Sequence, residues 1–137
     1  EAAMTTTTTT ANLDSFKISD EVHTLAETLG PVDLPLFRAL AASIAQYCDA
    51  SDKMIRHARQ IEQEASKVIS NVHGNLGAHG VESIGRYAAD LAAATAIRSS
   101  SAQIINMLID ALADGTHHAC GQFREAARLA IFGTPTY

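Results

Sequence analysis

Asp110, Asp114 and His117 recur at i, i+4 and i+7, so an unbroken helix would carry all three on one face. His118 and Cys120 follow closely, which completes the residue types of a zinc or iron site. A small-molecule- or metal-binding bundle using Asp110, Asp114, His117 and His118 is therefore one functional expectation. The paired Glu-x-x-His signature of a di-iron bundle is missing. Asp114-Gly115-Thr116 also reads as a helix break with a capping threonine. The favoured reading of the cluster is a polar helix end, and no cofactor is expected.

Other chemistry is thinner. Lys53, Arg56, His57 and Arg59 form the one basic cluster, yet Asp49, Asp52, Glu62 and Glu64 flank it and no aromatic residue interleaves. That pattern predicts an ion-paired, solvated face and no nucleic-acid partner. Gly74, Gly77 and Gly80 lack the preceding strand and following Lys-Ser or Lys-Thr of a phosphate loop, and predict a hairpin turn over 74–80. Neither Cys48 nor Cys120 has a convincing base, Gly-x-Ser-x-Gly is absent, and Ser99-Ser100-Ser101 falls mid-helix. Arg98 interrupts an apolar stripe. It is expected either to pair with Asp90 or a partner chain, or to snorkel outward where the stripe rotates. An enzyme of unknown class ranks behind an interaction protein and a binding bundle.

These residues must be positioned by helices. With 137 residues, 47% hydrophobic and 18% charged, the chain is sized for one domain with a real core. No apolar run approaches the roughly 18 residues of a membrane span. A net charge of −5 with ten Lys plus Arg argues against a large phosphate-binding surface. Glu1-Ala2-Ala3 reads as a remnant ahead of a native start at Met4, and the Thr5–Thr10 tract has no apolar periodicity, so residues 1–15 are expected to be a disordered tail. Residues 16–137 form the expected single helical-bundle domain. The absence of a basic region followed by an apolar run suggests a cytoplasmic protein, with export by a signal-peptide-independent route as the other option.

Ser19-Asp20-Glu21 predicts a first helix start, and Gly30-Pro31 its stop. Asp33-Leu34-Pro35 opens the second helix. From Phe37, Leu40, Ile44 and Tyr47 through Ser51, Met54 and Ala58 to Ile61, Ala65, Val68 and Val72, spacings of three and four alternate without a break. This heptad stripe predicts a helix over 37–73, on the order of 55 Å long. Cys48 to Asp52 is a weak helix former where a kink could fall. Val81-Glu82 is expected to open the next long helix, with Ile84, Ala88, Leu91, Thr95, Ala102, Ile105, Ile109 and Leu112 along one side. A last helix runs from about His117 to Phe132, ended by Gly133 and Pro135. The fold class is all-α: an antiparallel helical hairpin or bundle of two long and two short helices, without β-sheet.

A helix, a Gly-containing turn and a second alanine-rich helix over roughly residues 34–114 resemble the WXG100 (ESAT-6-like) helical-hairpin proteins of type VII secretion. Asn75-Leu76-Gly77 stands where that family has Trp-x-Gly, so Gly77 carries over; the chain has no tryptophan. Tyr87-Ala-Ala-Asp90 is one residue short of the family's Tyr-x-x-x-acid signal. The resemblance implies helical dimers that act as secreted partners rather than enzymes.

Alanine seams bury little area per residue, so the long hairpin calls for more apolar contact than it can supply itself. The leading expectation is a non-enzymatic helical interaction or assembly protein that self-associates or takes a helical partner. With the turn placed at Gly77, Cys48 falls level with Met107, and a fourth helix folding back at Gly115 would bring Cys120 close to Cys48 as a pair of thiols.

Overall fold

A computed structural model describes residues 11–70, 76–113 and 120–133. Among these residues there are four helices and no strand: α1 (Ala11–Glu27), α2 (Leu34–Ser70), α3 (Leu76–Ala113) and α4 (Cys120–Phe132). The long helices α2 and α3 form an antiparallel hairpin with the most extensive contact in the molecule. The short helix α1 folds back along the start of α2 and also touches α4, which packs on α3. No helix of the described residues is long and apolar enough to cross a membrane.

Local signals set most helix ends. Gly30 ends the α1 turn at φ 130°, a left-handed value that favours glycine. Asp33 caps α2: its side-chain Oδ1 accepts from the Leu36 N–H at 3.2 Å, and its carbonyl accepts from the Phe37 N–H at 2.9 Å. Gly133 closes α4 at φ 81°, donating to the Leu129 carbonyl. The helix α2 runs through Cys48–Asp52 uninterrupted.

Two starts differ from expectation. Helix α1 begins at Ala11, and Ser19 lies inside it, buried. Ser15, Ser19, Val22 and Ala26 are spaced four, three and four apart and are all buried, so two serines occupy core-facing positions that a search for apolar residues passes over. Residues 1–10 of the expected tail lie outside the described residues. Helix α3 begins at Leu76 rather than Val81, which takes Gly77 and Gly80 out of the expected turn and into helix; Gly74 and Asn75 lie outside the described residues. Gly80 is buried, and a Cβ built on it would come within 2.5 Å of Val68 Cγ2. That glycine serves the close approach of α2 and α3, not a bend.

The shorter turn moves the register. Ser101 meets Gln46, Arg98 meets Ser51 and Gly80 meets Val68, so Cys48 comes level with Ser100 rather than Met107, a slide of about 10 Å. The fourth helix does fold back: Arg124 reaches Asp110, Arg128 reaches Asn106, and Phe132 stands edge-on to Tyr47 at 5.1 Å between ring centroids. Cys120 begins α4 at its far end from Phe132, about 18 Å along the axis, so it is not a close neighbour of Cys48.

The core lies where all four helices meet. Val22 and Ala26 of α1, Leu40, Ile44, Tyr47 and Cys48 of α2, Ile105, Ile109 and Ala113 of α3, and Phe123, Ala127 and Ile131 of α4 form one buried cluster. Beyond it the hairpin continues as two helices alone, and the buried residues are small: Gly80, Ser83 and Ala94. Of the expected α3 stripe, Ile105 and Ile109 are buried, whereas Ala88 and Thr95 are exposed. In the two-helix half the fully buried positions of α3 are small, and Ile84 and Leu91 of the expected stripe are only partly buried.

Candidate interaction faces

Of the expected metal set Asp110, Asp114, His117 and His118, the described residues include Asp110 alone. Asp110 sits on the last turns of α3, where Oδ1 accepts from Arg124 Nε at 2.9 Å and lies 3.4 Å from Arg128 Nη2. Arg128 Nε also donates to Asn106 Oδ1 at 2.8 Å. The network ties α4 to α3 at half-exposed positions, where such pairs contribute only about 0–1 kcal/mol each. Asp114, His117 and His118, the other members of the expected metal set, lie outside the described residues. No group of three His, Cys, Asp or Glu side chains suited to a metal occurs among the described residues. A shallow, open groove of about 860 Å³ runs along α4 past Arg124, Arg128, Leu129 and Phe132. Both of its guanidinium groups already turn to Asp110.

The basic cluster on α2 is an ion-paired, solvated face as its spacing suggests. Lys53 reaches Asp49 at 3.1 Å, Arg56 reaches Asp52 at 2.9 Å, and His57 Nδ1 bonds Gln60 Oε1 at 2.9 Å. On α3, Arg86 Nη2 donates to Ser83 Oγ at 3.5 Å. Gly80 cannot cradle a phosphate, because Val68 occupies the space beside it.

Arg98 has a different fate from either expectation. It is half-buried and crosses the hairpin: Nε donates to Ser51 Oγ at 2.8 Å and Nη2 donates to Tyr47 Oη at 2.9 Å. Its guanidinium carbon stands 4.9 Å from the Tyr47 ring centroid, within reach of a cation–π attraction. Ser51 in turn donates to the Tyr47 carbonyl at 2.9 Å. This polar knot marks the boundary between the four-helix core and the two-helix extension. Asp90 takes no part in it. Spacing singled out Arg98 as a misfit, but its partners lie 47 and 51 residues away and no local pattern announces them.

Several large apolar side chains also face outward. Ile55 and Ile69 on α2, and Val81, Ile97, Ile104 and Met107 on α3, are 44–74% exposed. From Leu91 to Ile109, α3 carries a single charged residue, Arg98, and that residue is turned to Tyr47 and Ser51. Between Leu91 and Ile109 the outer side of α3 is therefore a long uncharged surface of alanine, serine and aliphatic side chains with Thr95 and Gln103 among them. Its signal in sequence is the missing charge rather than any motif. Compared with known protein families, curated proteins and solved structures, the chain matches none.

Proposed function

We propose that the chain is a non-enzymatic helical interaction or assembly protein, working through self-association or with a helical partner. The observation that carries this reading is the exposed aliphatic set Ile97, Ile104 and Met107 on an α3 face without charge. Isolated exposed aliphatics are ordinary, whereas a contiguous row of them marks a surface that is covered by something else. The arginine and aspartate side chains support the same reading, since Arg98, Asp110, Arg124 and Arg128 hold helix to helix. The WXG100-like layout belongs to this proposal too: two antiparallel helices presenting a face to a helical partner.

Light scattering on the purified chain at micromolar concentration tests the reading. At least twice the chain mass is expected. The chain mass alone, together with failure to retain any helical protein under native conditions, overturns it.

A further inference from the structure

Ala93, Ile97, Ser100, Ile104, Met107 and Ala111 follow one another at spacings of four, three, four, three and four, and all six are exposed. This is a heptad stripe of its own, separate from the buried line Ala94, Ser101, Ile105 and Ile109 that faces the core. A 3.5-residue apolar repeat on a helix is the pattern of a seam with another helix. No helix among the described residues covers this one. Its persistence on the outside of a folded hairpin is what a second, unused seam looks like.

Resting on the interaction reading above, we infer that this stripe is the self-association interface, and that two copies pair along it with their α3 helices antiparallel. Three features select that occupant. The stripe is symmetric about Ala102. Turned end for end, it sets Ala93 opposite Ala111, Ile97 opposite Met107 and Ser100 opposite Ile104 of the second copy. Every layer then has a partner of its own chemistry or a small residue that accepts a larger one. Parallel pairing in register would instead stack Ser100 on Ser100, a small polar layer between the bulky ones at Ile97 and Ile104. Charge points the same way. A charged partner finds no counter-charge between Asp90 and Asp110 once Arg98 is turned inward, whereas a second copy brings an equally uncharged face. The area is also sufficient. A stripe of this length, about 27 Å along one helix, covers on the order of 500 Å² per copy, which reaches the roughly 1,000 Å² total of a specific interface.

The test uses charge and cross-linking in the full chain. Met107→Lys and Ile97→Lys replace exposed side chains, so the circular dichroism spectrum of the variants should match that of the parent. The mass by light scattering should fall from dimer to monomer. For orientation, Cys48→Ser and Cys120→Ser provide a background without native thiols. In it, chains carrying Ala93→Cys and chains carrying Ala111→Cys should form the mixed disulfide when combined and little disulfide when oxidised separately. A dimer that survives both lysine substitutions overturns the interface while leaving self-association standing. Efficient Ala93→Cys homodimers overturn the antiparallel arrangement. A parent chain that stays monomeric up to sub-millimolar concentration overturns the inference. If it then retains a different helical protein, the broader interaction reading survives.

Discussion

At the four-helix end, Leu40, Ile44, Ile105 and Ile109 are fully buried in a core that includes α1 and α4, whereas at the other end the buried residues of α3 are Gly80, Ser83 and Ala94. Both ends are made of the same two helices. Full burial of an isoleucine contributes about 1.5–3 kcal/mol, while an alanine or glycine contact supplies little apolar area. The four-helix end is thus held by hydrophobic burial. The two-helix end is held by close backbone approach and by being continuous with helices anchored elsewhere. The Arg98 knot, which links Tyr47 and Ser51 at the boundary, is the polar clasp between the two regimes.

The largest effect is expected where the burial is deepest. Ile109→Ala should cost about 3 kcal/mol in denaturant unfolding, within the usual range for emptying a core site. Ile61→Ala in the two-helix half, where the side chain is only partly buried, should cost about 1 kcal/mol or less. Equal losses at the two sites would erase the distinction. At the boundary, Arg98→Met should cost about 1–2 kcal/mol, since it removes two hydrogen bonds from a charged donor. Tyr47→Phe should lose about 1 kcal/mol, and the double variant less than the two together, because the pair shares one bond. Strict additivity would show that the knot does not act as a unit. The last effect is small and the most specific. Gly80→Ala gains about 1 kcal/mol of helix propensity, but its methyl meets Val68, whose β-branched side chain turns only with difficulty. A net loss of about 1 kcal/mol is expected, reversed in the Gly80→Ala, Val68→Ala double variant. Stabilisation by Gly80→Ala alone would mean that the two-helix end yields freely.

The candidate face was the hardest part to read in advance. Its residues had the right spacing, but Ala93, Ser100 and Ala111 carry no hydrophobic weight, and Ile97, Ile104 and Met107 fell between the positions assigned to the core stripe. Only the side on which α2 packs separates core from surface on a helix that is apolar almost all round. Asp110 shows another kind of gap between sequence and structure. Asp110 had suggestive neighbours in sequence, but its hydrogen-bond partners come from α4, fourteen and eighteen residues onward.

What the sequence determined by itself is local: that the chain is helical, that α2 is one long unbroken helix, that Gly30 and Gly133 stop helices, and that Asp49–Lys53 and Asp52–Arg56 pair on an exposed face. Each follows from backbone freedom, heptad spacing or an i,i+4 neighbour within a turn or two. Only the tertiary structure decided the hairpin register, the burial of Ser15, Ser19 and Ser101, the inward turn of Arg98 and the outward turn of Ile104 and Met107. These depend on how closely two helices approach. Closeness is set by small residues such as Gly80, Ser83 and Ala94, whose contribution lies in the side chain they lack and is therefore silent in any pattern of hydrophobicity.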